Sequence, residues 1–454
     1  MKKLFQGAVG RLLLLILSLS IILSSFTSCD LFSYVADEKN EIQGNIDSTE
    51  EPKEFEYVSE YLRDWGMPVF DTIKFQFFES CFIQLYNLNA MPDTLTHAKE
   101  TARIFLDEHY DVINKSNKSE VTNTLLACYI SVLGDPYSMY RPPVETEDFM
   151  TDMSGKFGGI GVMVEYNDLD ESIMVNTVYP ESPAERAGVK VGDFIYAVDG
   201  KTVEELGYTK AVNYVRGEIG TDVTLTLLRD GELVTVTATR AEVEEINVSY
   251  TIIPDTNLGY VQIVSFKDNT FPQFKEAIDE LVTKGVEGIV FDLRGNPGGY
   301  VDSVISVISY LIPDGHVVMS YQYKGKDTVT LFADDAGEED HVVNLPFTVI
   351  CNEYTASAGE IFTAAMRDYR NIGIIDATIV GTNTYGKGIM QNTYYYPFDK
   401  STVTLTVAYY NPPCGTNYHG TGVQPDRAVE LDEGGEDNQL SAAIEELKKL
   451  VNDN

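Results

Sequence analysis

Ser357 is the residue whose neighbours most favour nucleophilic chemistry. It stands in the segment NEYTASAGEIF, directly after the apolar run Phe347–Cys351 and at the start of an amphipathic helix. One interpretation is a helix N-cap, for which serine is among the best residues. The other is a nucleophile at a strand-to-helix turn, where helix N–H groups face a developing oxyanion. This segment alone leaves both interpretations open.

A nucleophilic serine needs a base, and the segment TYGKGIMQ supplies Lys387, flanked by Gly386 and Gly388. Burial of an ammonium group without a carboxylate partner lowers a lysine pKa toward neutrality, where the amine accepts a proton. Gln391 lies four residues on, so in an extended segment its side chain shares the face of Lys387 and orients the amine. A surface lysine in a glycine-rich turn is the plainer alternative.

Alternating strands and helices after Tyr250 predict an α/β layer with crossover helices that positions both segments. Functional residues are then expected at the strand ends. The segment DLRGNPGGY is a further loop of small residues after a strand, and Asp292 and Arg294 within it are expected to form a loop-stabilising ion pair. The predicted strands are Leu258–Phe266, Gly288–Leu293 and Phe347–Cys351, and the predicted helices are Phe274–Thr283, Asp302–Leu311 and Ser357–Tyr369.

Between Met153 and Ala241 the pattern changes to short strands interrupted by helices. The pieces FGGIGVMV, VYPESPAERAGVKVGDFIYAVDGKTV and RGEIGTDVTLTLLRDGE resemble a PDZ domain, which implies a module that captures chain ends. The predicted strands are Gly161–Tyr166, Ser172–Val178, Phe194–Val198, Val223–Arg229 and Leu233–Thr239. The predicted helices are Ser182–Ala187, closed by Gly188, and Thr209–Arg216, ended by Gly217.

The glycine-rich loop of this module gives a physical reason for binding a chain end. Gly158, Gly159 and Gly161 let successive backbone N–H groups turn toward one point, forming a nest for a terminal carboxylate. The next strand then takes the peptide by β-augmentation. The expected peptide-binding residues are Gly159, Ile160, Gly161 and Val162. Because the pocket beside Ile160, Val162 and Val212 is apolar, we expect substrates with apolar C-termini.

The first residues resemble an export signal, with Arg11 and two lysines before the apolar run Leu12–Leu23. That run is short for a membrane span, which needs about 20 residues. Cys29 and the residues before it resemble the lipobox of bacterial lipoproteins, although Phe26 replaces the usual leucine. We therefore expect lipidation at Cys29 and an extracytoplasmic protein anchored to the bacterial cell membrane. An ordinary signal peptide is the alternative.

The chain has 454 residues, of which 44% are apolar, and this suits two or three domains. The formal charge of −37 is spread along the chain. No nucleic-acid partner is expected, because a phosphate backbone needs a basic surface. The later cysteines lack metal-ligand spacing and are expected to be free, buried thiols. They are Cys81, Cys128, Cys351 and Cys414.

The motifs DLRGNPGG, TASAGEI and TYGKGIMQ, in this order behind a PDZ domain, closely resemble those of the carboxyl-terminal processing peptidases. The likeness runs from Leu133 to Asp426 and includes LGDPYSMY, GYVQIVSF and GTGVQPD. Gly359 stands where the family usually has a second serine, and the stretch around Asn371 to Thr378 is longer than usual. Neither departure removes a catalytic group, but the longer stretch bears on the placement of Lys387.

The resemblance implies roles for individual residues. Ser357 is the nucleophile, Lys387 is the general base, and Gln391 supports the lysine. The oxyanion donors are the backbone N–H groups of Ala358 and of a glycine in NPGG, taken as Gly298. The expected function is a serine-type endopeptidase that cleaves extracytoplasmic proteins after its PDZ domain binds the substrate C-terminus, with no cofactor and no metal.

The implied fold is a multidomain α/β and α+β chain with a ClpP/crotonase-like α/β protease core, an inserted PDZ domain and an N-terminal helical region. The expected order is a signal peptide (1–28), an acidic disordered tether (29–56), the helical region (57–150), the PDZ domain (153–242), the protease core (250–430) and a C-terminal helix or tail (431–454).

Two other functions fit parts of the sequence. A histidine-dependent triad would use TASAG as half of a G-x-S-x-G elbow, but the first glycine is missing and only His419 lies near a motif. No H-E-x-x-H supports a zinc protease. The second function is a catalytically inactive protein whose PDZ domain binds peptides without cutting them. Physiological substrates, gating by the PDZ domain, homo-oligomers and an adaptor protein are left open by the sequence.

Overall fold

The structure is a computed structural model, and its described residues form two compact units. One unit is Thr151–Ile246, and the other comprises the segments on either side of it. The predicted signal peptide, Cys29 and the acidic tether lie outside the described residues. The described ranges are 71–82, 84–85, 104, 117–131, 133–167, 172–333, 345–432 and 434–453.

The predicted helical region is confirmed where the structure describes it. Its helices meet through aromatic rings: Tyr129 stacks on Phe75 with ring centroids 5.7 Å apart and meets Phe82 edge-on at 4.8 Å. Buried Lys74 forms an ion pair of 2.7 Å with Asp399, which fastens the region to the later hairpin. The elements are helices α1 (Thr72–Phe82) and α2 (Lys118–Ser131), strand β1 (Met139–Arg141) and helix α3 (Pro143–Ser154).

The inserted unit contains a six-stranded antiparallel sheet in the order β3-β4-β5-β7-β8, with β6 beside β5, and a separate pair of β2 and β9. Its strands are β2 (Lys156–Gly159), β3 (Val162–Asn167), β4 (Ser172–Val178), β5 (Phe194–Val198), β6 (Lys201–Thr202), β7 (Asp222–Arg229), β8 (Glu232–Thr239) and β9 (Ala241–Glu244). Its helices are α4 (Pro183–Ala187), α5 (Val203–Leu206) and α6 (Tyr208–Val215).

Helix α4 begins and ends as the sequence predicts. The Ser182 side chain accepts a hydrogen bond from the Glu185 N–H, and Gly188 closes the helix at φ +84°. Such a left-handed C-cap favours glycine, because glycine has no Cβ.

The second unit is built on a six-stranded sheet in the order β10-β11-β12-β15-β16-β19, parallel except for β10. A second, antiparallel sheet has the order β1-β18-β13-β14, with β17 also on β18. The strands are β10 (Val248–Ile252), β11 (Leu258–Ile263), β12 (Gly288–Asp292), β13 (Val317–Tyr323), β14 (Thr328–Phe332), β15 (Phe347–Cys351), β16 (Ala377–Gly381), β17 (Ile389–Tyr395), β18 (Thr402–Asn411) and β19 (Arg427–Ala428). The helices are α7 (Thr270–Thr283), α8 (Val301–Ser309), α9 (Ala358–Asn371) and α10 (Asn438–Asp453).

Helices cover both faces of the mainly parallel sheet. Alternate strand residues such as Phe291 pack in the large core that also contains residues of α7, α8 and α9. Their neighbours, such as Val290, pack with Leu447 of α10. Strands buried on both faces are typical of parallel sheets, and β12 and β15 are buried along their whole length. The predicted α/β layer is therefore confirmed.

One predicted strand is too long. Strand β11 ends at Ile263, whereas the sequence predicts a strand to Phe266. Phe266 instead forms an isolated parallel bridge with Gly299. The reason is that its N–H donates to the Gly298 carbonyl, and its own carbonyl accepts from Tyr300. No helix within the described ranges is long and apolar enough to cross a membrane.

Candidate active site

Three neighbouring parallel strands end at one edge of the sheet, and each leads into one predicted segment. Strand β12 precedes DLRGNPGG, β15 precedes TASAGEI, and β16 precedes TYGKGIMQ. Parallel neighbours place their carboxyl ends side by side. Hydrogen bonds then join the loops: the Ala356 N–H donates to the Asn296 carbonyl, and the Tyr385 N–H donates to the Thr355 carbonyl. The sheet thus brings together segments that are far apart in sequence.

Ser357 occupies the turn between β15 and α9 and is 1% exposed. Its backbone has φ +51° and ψ −116°, in the left-handed half of φ space. Such a conformation costs a non-glycine residue about 1–3 kcal/mol and is concentrated at functional sites. An ordinary N-cap lies in the β region, so the backbone of Ser357 differs from that of a simple capping serine.

Gly298 lies against the serine because it has no side chain. A Cβ there would come within 2.7 Å of Ser357 Cβ and 2.9 Å of the Ala358 nitrogen. The Ala358 N–H, at the start of α9, has no hydrogen-bond partner among the described residues. The Gly298 N–H instead donates to Asn296 Oδ1 at 2.8 Å. In this structure the N–H is therefore engaged by Asn296, and its role as an oxyanion donor stays a prediction; the glycine itself allows close approach.

Glu360 is the residue of this site that the sequence analysis did not identify. Its side chain is buried, and its two oxygens accept four hydrogen bonds. Oε1 accepts from Thr384 Oγ1 at 2.5 Å and from the Gly386 N–H at 2.6 Å. Oε2 accepts from the Ser357 N–H at 3.0 Å and from the Lys387 N–H at 2.7 Å. An ionised carboxylate offers about four lone-pair sites, so all are used.

The carboxylate therefore fixes the serine relative to the lysine. Because both N–H groups donate to the same oxygen, the backbone nitrogens of Ser357 and Lys387 lie within two hydrogen-bond lengths of each other. Burial raises the pKa of Glu360, and its hydrogen bonds to Thr384, Lys387, Gly386 and Ser357 oppose that rise. All four of these contacts are hydrogen-bond donors, so the geometry of the site suits a carboxylate.

Lys387 is 2% exposed, so the alternative of a surface lysine is wrong. Its Nζ lies 5.0 Å from the centre of the Tyr137 ring, in the LGDPYSMY segment. Its carbonyl accepts a hydrogen bond from the Tyr410 hydroxyl. Gly388 has to be a small residue, because a Cβ there would come within 2.8 Å of the His419 nitrogen. The glycines that flank the lysine thus allow close packing around it.

Two family models match the chain in the regions just described. The model of peptidase family S41 matches residues 257–429, and a PDZ-domain model matches residues 174–229. The chain is 34% identical over 321 residues to the carboxy-terminal processing protease CtpA of Bacillus subtilis, covering 71% of this chain and 66% of that protein. It belongs to the carboxyl-terminal processing peptidases of family S41.

Further comparisons agree with this family. The chain is 35% identical over 320 residues to a probable CtpA-like serine protease of Staphylococcus haemolyticus, covering 70% of this chain and 62% of that protein. The match thus spans about two thirds of the length of these relatives. The photosystem II D1 C-terminal processing protease aligns at 26% identity over 72% of this chain and 86% of its own, with a TM-score of 0.42.

Three further residues of the S41 motifs are placed by the structure. Gln391 is buried on β17, where its Nε2 donates to Thr406 Oγ1 at 3.3 Å, and its support of the lysine stays a prediction. The predicted ion pair is confirmed, with Arg294 Nη2 2.5 Å from Asp292 Oδ2. Arg294 also reaches Asp437 at 2.7 Å, which links the loop to the start of α10.

The histidine alternative gains no support from the described residues. Neither His316 nor His419 hydrogen-bonds Ser357. The His419 ring packs edge-on against Tyr409, and burial lowers its pKa. His97, His109 and His341 lie outside the described residues. Within the described ranges, no group of three or more His, Cys, Asp and Glu side chains could hold a metal ion.

Two predictions about individual residues are wrong. Gly158 and Gly159 are not part of a nest but lie in strand β2, paired with β9. Gly158 is needed for close approach, because a Cβ there would come within 2.0 Å of the Gly217 carbonyl oxygen. Cys414 is free but exposed, whereas the sequence analysis expects a buried thiol. The other three predicted thiols are free and buried.

The PDZ domain of this S41 peptidase has an edge strand that lies beside a helix. Strand β3 lies at the edge of its sheet and pairs only with β4 among the described strands. Gly161, at φ +79°, turns the chain into β3. Tyr166 of β3 and Tyr208 of α6 have ring centroids 4.8 Å apart, so the strand lies beside the helix.

Proposed function

We propose that this protein is a serine endopeptidase of the carboxyl-terminal processing type, with Ser357 as nucleophile and Lys387 as general base. The observation that carries the proposal is the common hydrogen-bond acceptor of the two residues, Glu360 Oε2, at the ends of neighbouring strands. Family membership supports the same reaction class.

In the proposed reaction the neutral Lys387 amine takes the proton of Ser357 Oγ as this oxygen attacks the scissile carbonyl. The resulting oxyanion faces the Ala358 N–H. A hydrogen-bond donor stabilises a developing negative charge more strongly in a buried site than in water. The Gly298 N–H would have to leave Asn296 Oδ1 to act as a second donor. Collapse of the intermediate releases the leaving amine, which takes the proton from Lys387, and water then hydrolyses the acyl-enzyme.

The proposed substrates are proteins whose apolar C-termini bind the PDZ domain. The peptide adds as a strand to the open edge of β3, and its terminal carboxylate binds the turn of Ile160 and Gly161 that leads to Val162. The edge position of β3 supports β-augmentation, because an edge strand presents unpaired N–H and C=O groups. The half-buried side chains of Val162 and Val212 support an apolar preference.

The decisive experiment follows cleavage of an unfolded protein with an apolar C-terminus by the parent, Ser357→Ala and Lys387→Ala proteins. Lys284→Ala is a matched control, because that lysine is exposed and pairs with Glu280. We expect the parent and the control to cut and the two active-site variants to fail while staying folded. Cleavage by Lys387→Ala at the parental rate would overturn the assignment of the base. A parent that binds but never cuts would indicate an inactive PDZ peptide-binding protein.

The same experiment tests the PDZ proposal with a second substrate. Amidation of the substrate C-terminus removes the charge that the loop would bind. We expect a raised KM and an unchanged kcat for the amidated substrate, and equal KM values for both substrates would exclude recognition of the terminal carboxylate.

We also propose that the protein works outside the cytoplasm, held to the membrane through lipidated Cys29. Its support is the sequence pattern of a charged start, an apolar run and a lipobox-like cysteine. Growth of the producing bacterium with a labelled fatty acid should label the parent protein but not Cys29→Ser. Equal labelling of both would refute lipidation at this residue.

A further inference from the structure

Thr384 is a buried residue of the TYGKGIMQ segment to which the proposed mechanism assigns no role. It is 3% exposed and lies between the end of β16 and Lys387. Its hydroxyl donates to Glu360 Oε1 at 2.5 Å and accepts from the Val423 N–H at 2.7 Å. The hydroxyl therefore connects the carboxylate between serine and lysine to the GTGVQPD segment.

The direction of these hydrogen bonds is fixed. A threonine hydroxyl has one proton, and the Val423 N–H can only donate. The Val423 N–H donates to a lone pair of Thr384 Oγ1, so the hydroxyl proton points to Glu360. The Thr384 backbone is held in the same place, because its N–H donates to the Val423 carbonyl at 3.2 Å. A Cβ at Gly422 would come within 2.3 Å of the Thr384 carbonyl oxygen, so the two segments are in close contact.

We infer that Thr384 is a positioning residue for the dyad: its hydroxyl orients the Glu360 carboxylate, which in turn sets Ser357 against Lys387. The inference rests on the proposed peptidase function and deepens it. Thr384 itself touches no reacting atom. Its loss should therefore lower kcat and leave KM unchanged, because the misplaced groups are those that react and not those that bind substrate.

A dependence on pH follows from the same contacts. Burial raises the pKa of Glu360, and the hydrogen bond from Thr384 is the largest of the effects that oppose this rise. Only the ionised carboxylate accepts from all four donors. If the hydroxyl is removed, Glu360 binds a proton at higher pH, and the acid limb of kcat/KM moves to higher pH.

The ionisable groups near Glu360 are a thiol, a phenol and the ring of His419, which bonds the Gly386 backbone and whose pKa is lowered by burial. The Cys351 thiol, below the sheet edge, has its pKa raised to about 12, chiefly by burial, and Glu360 adds to the rise. Burial likewise raises the pKa of the Tyr418 phenol well above its usual value, again with a contribution from Glu360. Both stay neutral near pH 7. The other ionisable side chain of the site is that of Lys387, whose backbone N–H donates to the same carboxylate.

The test compares Thr384→Val, which keeps the shape without the hydroxyl, with Thr384→Ser, which keeps the hydroxyl. Thr382→Val is the matched control, since that hydroxyl donates to the exposed carboxylate of Glu353. For the valine variant we expect kcat lowered about 10²-fold, an unchanged KM and an acid limb shifted upward. The serine variant and the control should keep kcat, KM and the acid limb close to those of the parent.

Each outcome is decisive. A folded Thr384→Val protein with parental kcat and acid limb overturns the inference, while cleavage by the parent leaves the proposed function intact. A parent that does not cut defeats the proposed function and the inference with it. If the valine variant does not fold, Thr384→Ala replaces it, because its smaller side chain leaves room for water at the vacated oxygen. Loss of kcat in Thr384→Ser equal to that in the valine variant also overturns the inference.

Discussion

Ser357 and Lys387 donate their backbone N–H groups to one and the same oxygen, Glu360 Oε2, at 3.0 and 2.7 Å. In a Ser-His-Asp triad, the aspartate orients the base. A dyad of a serine and a lysine has no third side chain with that role. In the proposed dyad the alignment comes through the backbone. A buried carboxylate joins the start of a helix to a loop that follows the next strand of the sheet.

Replacement of the carboxylate by an amide should separate the two residues. In Glu360→Gln the new NH2 group faces N–H or hydroxyl donors whichever way the amide is turned, because all four contacts are donors. We expect kcat to fall by about 10²-fold or more, and the free energy of unfolding to fall by about 2–4 kcal/mol. Peptide cleavage and urea unfolding measure the two effects.

Glu353→Gln is the control for this change. Glu353 is exposed and accepts one hydrogen bond, from Thr382 Oγ1 at 3.1 Å. Its replacement should change the free energy of unfolding by less than about 0.5 kcal/mol and leave cleavage unaltered. Parental kcat in Glu360→Gln would show that the carboxylate does not align the dyad.

Gly298 and Gly295 lie in the same loop, and a comparison of variants at the two positions distinguishes the effect of close approach from that of backbone strain. Both Gly298, at φ +105°, and Gly295, at φ +71°, have conformations that favour glycine. A Cβ at Gly298 would meet Ser357 Cβ at 2.7 Å, whereas nothing lies within 4 Å of a Cβ at Gly295. We expect Gly298→Ala to lose activity by about 10²-fold or more and Gly295→Ala to lose only about 1 kcal/mol of stability. Equal activity of the two variants would contradict the proposed contact with the nucleophile.

The local chemistry of the chain could be predicted from sequence where one short segment determines the structure. Strand Phe347–Cys351 has the predicted limits. A short apolar run between turn residues and followed by a polar loop shows clearly where a buried strand begins and ends. Helix α4 has both predicted caps, because Ser182 and Gly188 act on their own neighbours. The position of Ser357 after β15 follows from the same local pattern.

Glu360 was missed for a reason that lies in the sheet topology. The spacing of Ser357 and Glu360 is the Ser-x-x-Glu pattern of a capping box, which predicts that the two residues meet. Its other partners, Thr384, Gly386 and Lys387, come from the loop after β16, and only the parallel pairing of β15 with β16 brings them near. Gly158 shows the opposite case, where a local pattern suggested a turn but the glycine makes room for the Gly217 carbonyl.

Cys414 should be the first of the described thiols to react with iodoacetamide in the native protein. It is exposed, and although burial and Asp368 raise its pKa too, burial raises the pKa of Cys81, Cys128 and Cys351 to about 12. At pH 8 about one in ten thousand of such buried thiols is ionised, and the reagent cannot reach them. Mass spectrometry of the labelled peptides should show Cys414 modified well before the others. Similar labelling rates for Cys351 and Cys414 would contradict the described burial, and unfolding in urea should make all of them reactive.

The backbone of Ser357 allows a stability test that is independent of catalysis. At φ +51° and ψ −116° the residue has the conformation of the first central position of a type II′ turn, which glycine adopts without strain. Ser357→Ala and Ser357→Gly should both be inactive, but the glycine variant should relieve the strain that alanine retains. We expect Ser357→Gly to be more stable than Ser357→Ala by about 1 kcal/mol in urea unfolding. In an ordinary helix N-cap with a β-region backbone, glycine would bring no such gain, so equal stabilities of the two variants would mean that the strained turn is absent in solution.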